Sequence, residues 1–123
     1  MSPELLSFKQ KVVKELADQF SSWGYTDIRS QHLLDKYQST REISGFRPDM
    51  TFKKQNVLFI VEAQRRESLD DKELIEKWLA FSEAIKNTKS CFWVFVPPGQ
   101  REEFILKTNE LRIEASVHEI EMD

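Results

Sequence analysis

The segment Val57-Leu58-Phe59-Ile60-Val61 is apolar at every position and is followed at once by Glu62, Ala63 and Gln64. Successive side chains of a strand leave opposite faces, so a run without alternation requires cover on both sides of its sheet. Cys91-Phe92-Trp93-Val94-Phe95-Val96 makes the same demand and is ended by Pro97-Pro98-Gly99. Between the two runs, Leu74, Trp78, Phe81 and Ile85 recur at helical spacing, with Asp70 or Ser68 as the expected N-cap. Two covered strands joined through a helix form a crossover unit, which predicts a parallel pair inside an α/β fold.

The flanking segments extend that fold. Leu5, Phe8, Val12, Leu16 and Phe20 mark an amphipathic helix over residues 3–23, with Ser2 as cap, Pro3 in its first turn and Gly24 at its end. A short strand is expected near residues 27–34. In residues 46–53, Phe46, Met50 and Phe52 share one parity and Arg47, Asp49, Thr51 and Lys53 the other, the pattern of a strand with one buried face. Phe104, Ile105 and Leu111 place a helix at 100–111, and Ser116 to Met122 alternates as an edge strand. The predicted order is helix, three strands, helix, strand, helix, strand, in one mixed sheet, with residues 1–123 forming a single domain.

Composition agrees with one folded unit. Hydrophobic residues make up 40% and charged residues 32% of the chain, which excludes a disordered composition. Cys91 is the only cysteine, so no internal disulfide exists; no apolar run approaches the roughly 20 residues of a membrane span. A cytoplasmic protein that does not enter the membrane is the resulting expectation. The net charge of −3 is uneven: residues 36–66 hold seven Lys/Arg against three acids, whereas residues 67–123 hold seven against thirteen. Trp23, Trp78 and Trp93 fit core positions better than base-stacking platforms, and His32 and His118 have no partner at metal-ligand spacing.

The local basic excess surrounds a pair of acids. With Gln55-Asn56 at the centre of a hairpin turn, paired residues sum to 111 and Asp49 lies across from Glu62, while Glu62 and Gln64 leave the same face. Acids at the end of an apolar strand cost folding energy unless compensated, and a hard divalent cation such as Mg²⁺ compensates them.

Arg47-Pro48-Asp49 followed by Ile60-Val61-Glu62-Ala63-Gln64 resembles the PD-(D/E)xK nuclease superfamily, and the element order over residues 5–96 is similar to its restriction endonuclease-like core. The resemblance implies a metal-dependent nuclease acting on DNA or RNA. Asp49 and Glu62 would hold Mg²⁺ or Mn²⁺, and Glu15 of the first helix would complete the metal site. It also implies that Gln64 stands where the family usually has Lys, with Lys77 or Lys72 as a substitute ammonium. Arg47, Lys53, Lys54, Arg65 and Arg66 are the expected phosphate contacts. The alternative is a nuclease-like fold without catalysis, serving as a nucleic-acid-binding or assembly module, with a homodimer formed through its edge strands.

Overall fold

A computed structural model describes residues 1–121. Helix α1 (Pro3–Ser22) leads into strands β1 (Thr26–Ser30), β2 (Met50–Lys54) and β3 (Val57–Ala63). A 3₁₀ turn (Arg66–Ser68) precedes α2 (Lys72–Ile85), β4 (Cys91–Val96), α3 (Arg101–Glu110) and β5 (Ser116–Glu119). The strands lie in the order β1-β2-β3-β4-β5. The first three pair antiparallel, and β3-β4 and β4-β5 pair parallel, so the domain is α/β with a mixed sheet. No helix among the described residues is long and apolar enough to cross a membrane.

The two unbroken apolar strands are sandwiched as their composition demands. Phe59 and Val61 of β3 join Trp93 and Phe95 of β4 beneath α1, where they pack with Phe8, Val12, Leu16 and Phe20. Leu58 and Ile60, with Phe92, Val94 and Val96, form the opposite core with Trp78 and Phe81 of α2 and Phe104 of α3. Helices α1 and α2 are anchored at their starts by a short polar side chain. Ser2 Oγ accepts from Leu5 N–H at 3.1 Å, and Asp71 Oδ1 accepts from Glu73 N–H at 2.9 Å. The α2 cap is therefore Asp71, one residue beyond Asp70 and three beyond Ser68: Ser68 is taken into the 3₁₀ turn and Asp70 pairs with Lys107.

The β2-β3 hairpin has the anticipated register, from Lys54↔Val57 to Met50↔Val61. Gln55 and Asn56 both have positive φ, 53° and 67°, the backbone that a tight two-residue hairpin requires. Three expectations are corrected. The first strand ends at Ser30 instead of reaching 34, and Leu34 is exposed. Strand β2 begins at Met50, not at Phe46: Ser44 and Gly45 turn the chain at positive φ, Ile43 and Phe46 bond each other, and Phe46 packs in the α2 core while Met50 and Phe52 pack under α1. Trp23 caps α1 and is 55% exposed, unlike Trp78. The final strand is described through Glu119, and Met122 lies outside the described residues.

Candidate functional site

Pairing between β2 and β3 stops at Met50↔Val61, and one residue further the side chains take over from the backbone ladder. Asp49 N–H donates to Glu62 Oε2 at 2.8 Å, and Ala63 N–H donates to Asp49 Oδ2 at 2.9 Å. Both acids are buried, Asp49 at 2% and Glu62 at 0% exposure. The segment leading to Asp49 is pinned as well: Ser30 Oγ donates to Asp49 O at 2.7 Å, and Thr40 Oγ1 donates to Pro48 O at 2.9 Å.

Each carboxylate is gripped from a different layer. From α1, Lys9 Nζ lies 2.5 Å from Asp49 Oδ2 and 2.6 Å from the Ala63 carbonyl oxygen, so one ammonium bridges the ends of two strands. His32 Nε2 donates to Asp49 Oδ1 at 2.6 Å. From α2, Trp78 Nε1 donates to Glu62 Oε1 at 3.1 Å and Lys77 Nζ lies 3.0 Å from the same oxygen. Two buried acids thus meet two lysines, a balance that makes their burial tolerable. Gln64 donates its backbone N–H to Phe95 O at 3.1 Å, yet its buried Oε1 has no hydrogen-bond partner among the described residues.

Lys9, His32 and Trp78 were absent from the sequence-derived site. For Lys9 a signal existed: it lies three and four residues before Val12 and Val13 on the apolar stripe of α1, where an unpaired lysine has no place. Trp78 carried the stripe of α2, but nothing local revealed that its indole N–H meets Glu62. Glu15 is corrected out of the site, since it occupies the exposed face of α1, about 9 Å along the axis from Lys9.

The basic residues divide. Arg47, Arg65 and Arg66 flank the acids, whereas Lys53 and Lys54 sit at the hairpin turn, about 13–17 Å along β2 from Asp49. Four of the five have acidic neighbours: Arg47 with Glu42, Lys53 with Asp27, Arg65 with Glu67 and Arg66 with Glu103. Lys54 Nζ stands 4.8 Å from the centre of the Tyr25 ring.

A cavity of about 500 Å³ opens beside the buried cluster, reached by Lys9, Asp49, Gln64 and Lys77 and bordered by Glu73 and Glu76. A second, of about 530 Å³, shares none of these residues. Among the described residues no three His, Cys, Asp or Glu side chains converge on one point. The oxygens on hand are instead one carboxylate from each strand end, a backbone carbonyl and an amide oxygen. That set is hard in character and suits Mg²⁺ or Mn²⁺, and a cation already rests between two of its members, the ammonium of Lys9.

Charge sets the proton affinities. Burial pushes the Asp49 carboxyl up, but the Lys9 ammonium, the His32 hydrogen bond and the more distant Lys77 outweigh it and hold the group far below the usual carboxylate range. For Glu62, burial and then the Asp49 charge dominate over Lys77 and Lys9, and its affinity for a proton rises. Burial pulls Lys77 down, but Glu62 and Asp49 more than reverse this.

The two acids therefore affect stability with opposite sign. Asp49, depressed in the fold, contributes stability that is present above its unfolded pKa and is lost as pH falls from there toward its folded value. The stability difference between wild type and Asp49→Asn, measured by urea unfolding, is expected to shrink by about 1.4 kcal/mol per pH unit below about pH 3.9. Glu62, raised in the fold, contributes stability that is complete below its unfolded pKa and is lost as pH rises through its folded one. Wild type should therefore lose stability relative to Glu62→Gln on going up from about pH 4.3. A pH-independent difference for both variants would contradict this assignment of charges.

Compared with protein-family models, curated proteins and solved structures, the chain has no match.

Proposed function

We propose that the chain is a metal-dependent nuclease of the PD-(D/E)xK kind, hydrolysing phosphodiester bonds of DNA or RNA. The observation that carries this reading is the cation held between Asp49 Oδ2 and the Ala63 carbonyl, at a cavity also lined by Gln64, whose buried Oε1 lacks a donor among the described residues. The order α1, three strands, α2, β4 supports it, because it follows the restriction endonuclease-like arrangement that the sequence motif implies.

Asp49, Glu62, the Ala63 carbonyl and Gln64 Oε1 are the oxygens that would hold Mg²⁺ or Mn²⁺. When bound, such an ion lowers the pKa of a water and screens charge on a phosphoryl oxygen. Lys77 supplies the ammonium that position 64 lacks and, from the cavity wall, would stabilise negative charge developing on the phosphate. Arg47, Arg65 and Arg66, on the same end of the sheet, would exchange their acidic neighbours for backbone phosphates, which makes binding salt-dependent.

The test is cleavage of single- and double-stranded DNA and RNA with Mg²⁺ or Mn²⁺. Wild type is expected to cut at least one substrate; a chelator, or Asp49→Asn in a sample verified as folded, is expected to abolish cutting. Intact substrates throughout would reject the nuclease reading.

One observation favours a second reading. Both oxygens of each acid are already bonded, and Lys9 and Lys77 neutralise the pair without metal. On that reading the cluster is a structural staple and the domain is a binding or assembly module, with β5, and β1 ahead of its bridge to Gln38, as the sheet edges offered to a second copy. Concentration-dependent dimerisation without cleavage would support it.

A further inference from the structure

We infer that the Lys9 ammonium is an intramolecular stand-in for the divalent cation, so that a metal ion binds by displacing Lys9 from between Asp49 and Ala63. This rests on the metal-dependent reading above and adds to it a regulation of the same site, carried by a residue of α1.

Three observations support the displacement. Lys9 is 2% exposed and spends its charge on two oxygens from different strands, Asp49 Oδ2 at 2.5 Å and Ala63 O at 2.6 Å. Those are a carboxylate and a carbonyl, the donor types a hard cation selects. Gln64, which lines the same cavity, has a buried Oε1 without a donor among the described residues, and an ion that takes six oxygens has use for a third protein ligand. The charges also balance, Asp49 and Glu62 against Lys9 and Lys77. Adding two positive charges to this buried cluster while retaining both lysines would leave it uncompensated, so binding and lysine departure are coupled.

The surroundings offer Lys9 somewhere to go. It lines the cavity of about 500 Å³, which Asp71, Glu73 and Glu76 also border. Their carboxylates attract an incoming cation and can receive the released ammonium on its flexible stem. Metal affinity is then set by competition: the ion must outbid a tethered ligand that never diffuses away.

Calorimetric titration with Mn²⁺ or Mg²⁺ alone separates the possibilities. Lys9→Met keeps an unbranched apolar side chain and removes the charge, and it is expected to bind metal at least about tenfold more tightly than wild type. Its melting temperature should be lower than wild type without metal and should rise more steeply with Mn²⁺. Should the variant not fold without metal, amine acetylation of the wild type read by mass spectrometry replaces it. Lys9 is expected to resist labelling until Mg²⁺ is added, with the exposed Lys11 and Lys14 as internal controls. Equal affinity in the two proteins, or unchanged protection of Lys9 at saturating metal, overturns the inference and leaves a metal-dependent site standing. Absence of binding by both proteins overturns the inference and the metal-dependent reading together. Tighter binding by Lys9→Met without any cutting of nucleic acid upholds the inference and removes the nuclease.

Discussion

Replacing Asp49 with alanine is expected to cost about 3–5 kcal/mol of stability, because it strands a buried ammonium. The Asp49 carboxylate accepts from Lys9, His32 and Ala63 N–H, and nothing else among the described residues meets the Lys9 charge except one carbonyl oxygen. Against the roughly 5–15 kcal/mol that holds a domain together, that is a large share. Lys9→Met/Asp49→Ala removes both charges and should recover part of the loss, since an apolar pair of suitable volume often substitutes for a buried ion pair. Urea unfolding of wild type, the two single variants and the double variant measures this coupling. A loss below about 1 kcal/mol for Asp49→Ala, with additive effects in the double variant, would show that the short contacts carry little energy.

The second large effect belongs to Trp78. Its ring packs against Phe92 and Phe104, with centroids 6.0 and 5.9 Å away, while its N–H reaches Glu62 Oε1. Trp78→Ala is expected to cost about 3–5 kcal/mol through the cavity it leaves in the core beneath α2. Trp78→Phe keeps most of the packing and removes only the donor, and should cost about 1.5–3 kcal/mol, as for a hydrogen bond to a charged group. The two variants thus separate apolar burial from support of the acid. Were Trp78→Phe as stable as wild type across the pH range, the indole would be a core ring and nothing more to Glu62.

Much of the frame was legible because its causes are local. Val57–Val61 and Cys91–Val96 announced two strands covered on both faces, and the helical stripe of residues 74–85 announced the crossover between them. The residues flanking Gln55-Asn56 could pair in one sensible register, and that register also places Lys53 and Lys54 at the turn, far from Asp49. Phe46 shows where periodicity misleads. It shares parity with Met50 and Phe52, but it closes the turn at Ser44-Gly45 by bridging to Ile43, and Pro48 separates it from β2, so the chain delivers it to the opposite core.

The surroundings of the two acids were less legible. Lys9 lies 40 residues from Asp49 in the chain and Trp78 lies 16 from Glu62, and neither spacing is a repeat or motif. The amino-acid sequence by itself determined that two acids would end neighbouring strands, because alternation and turn chemistry act between residues close along the chain. Which cations and donors would close over those acids was decided only when α1 and α2 docked on opposite faces of the sheet. Coulomb energy depends on distance and desolvation in space, and linear order carries neither.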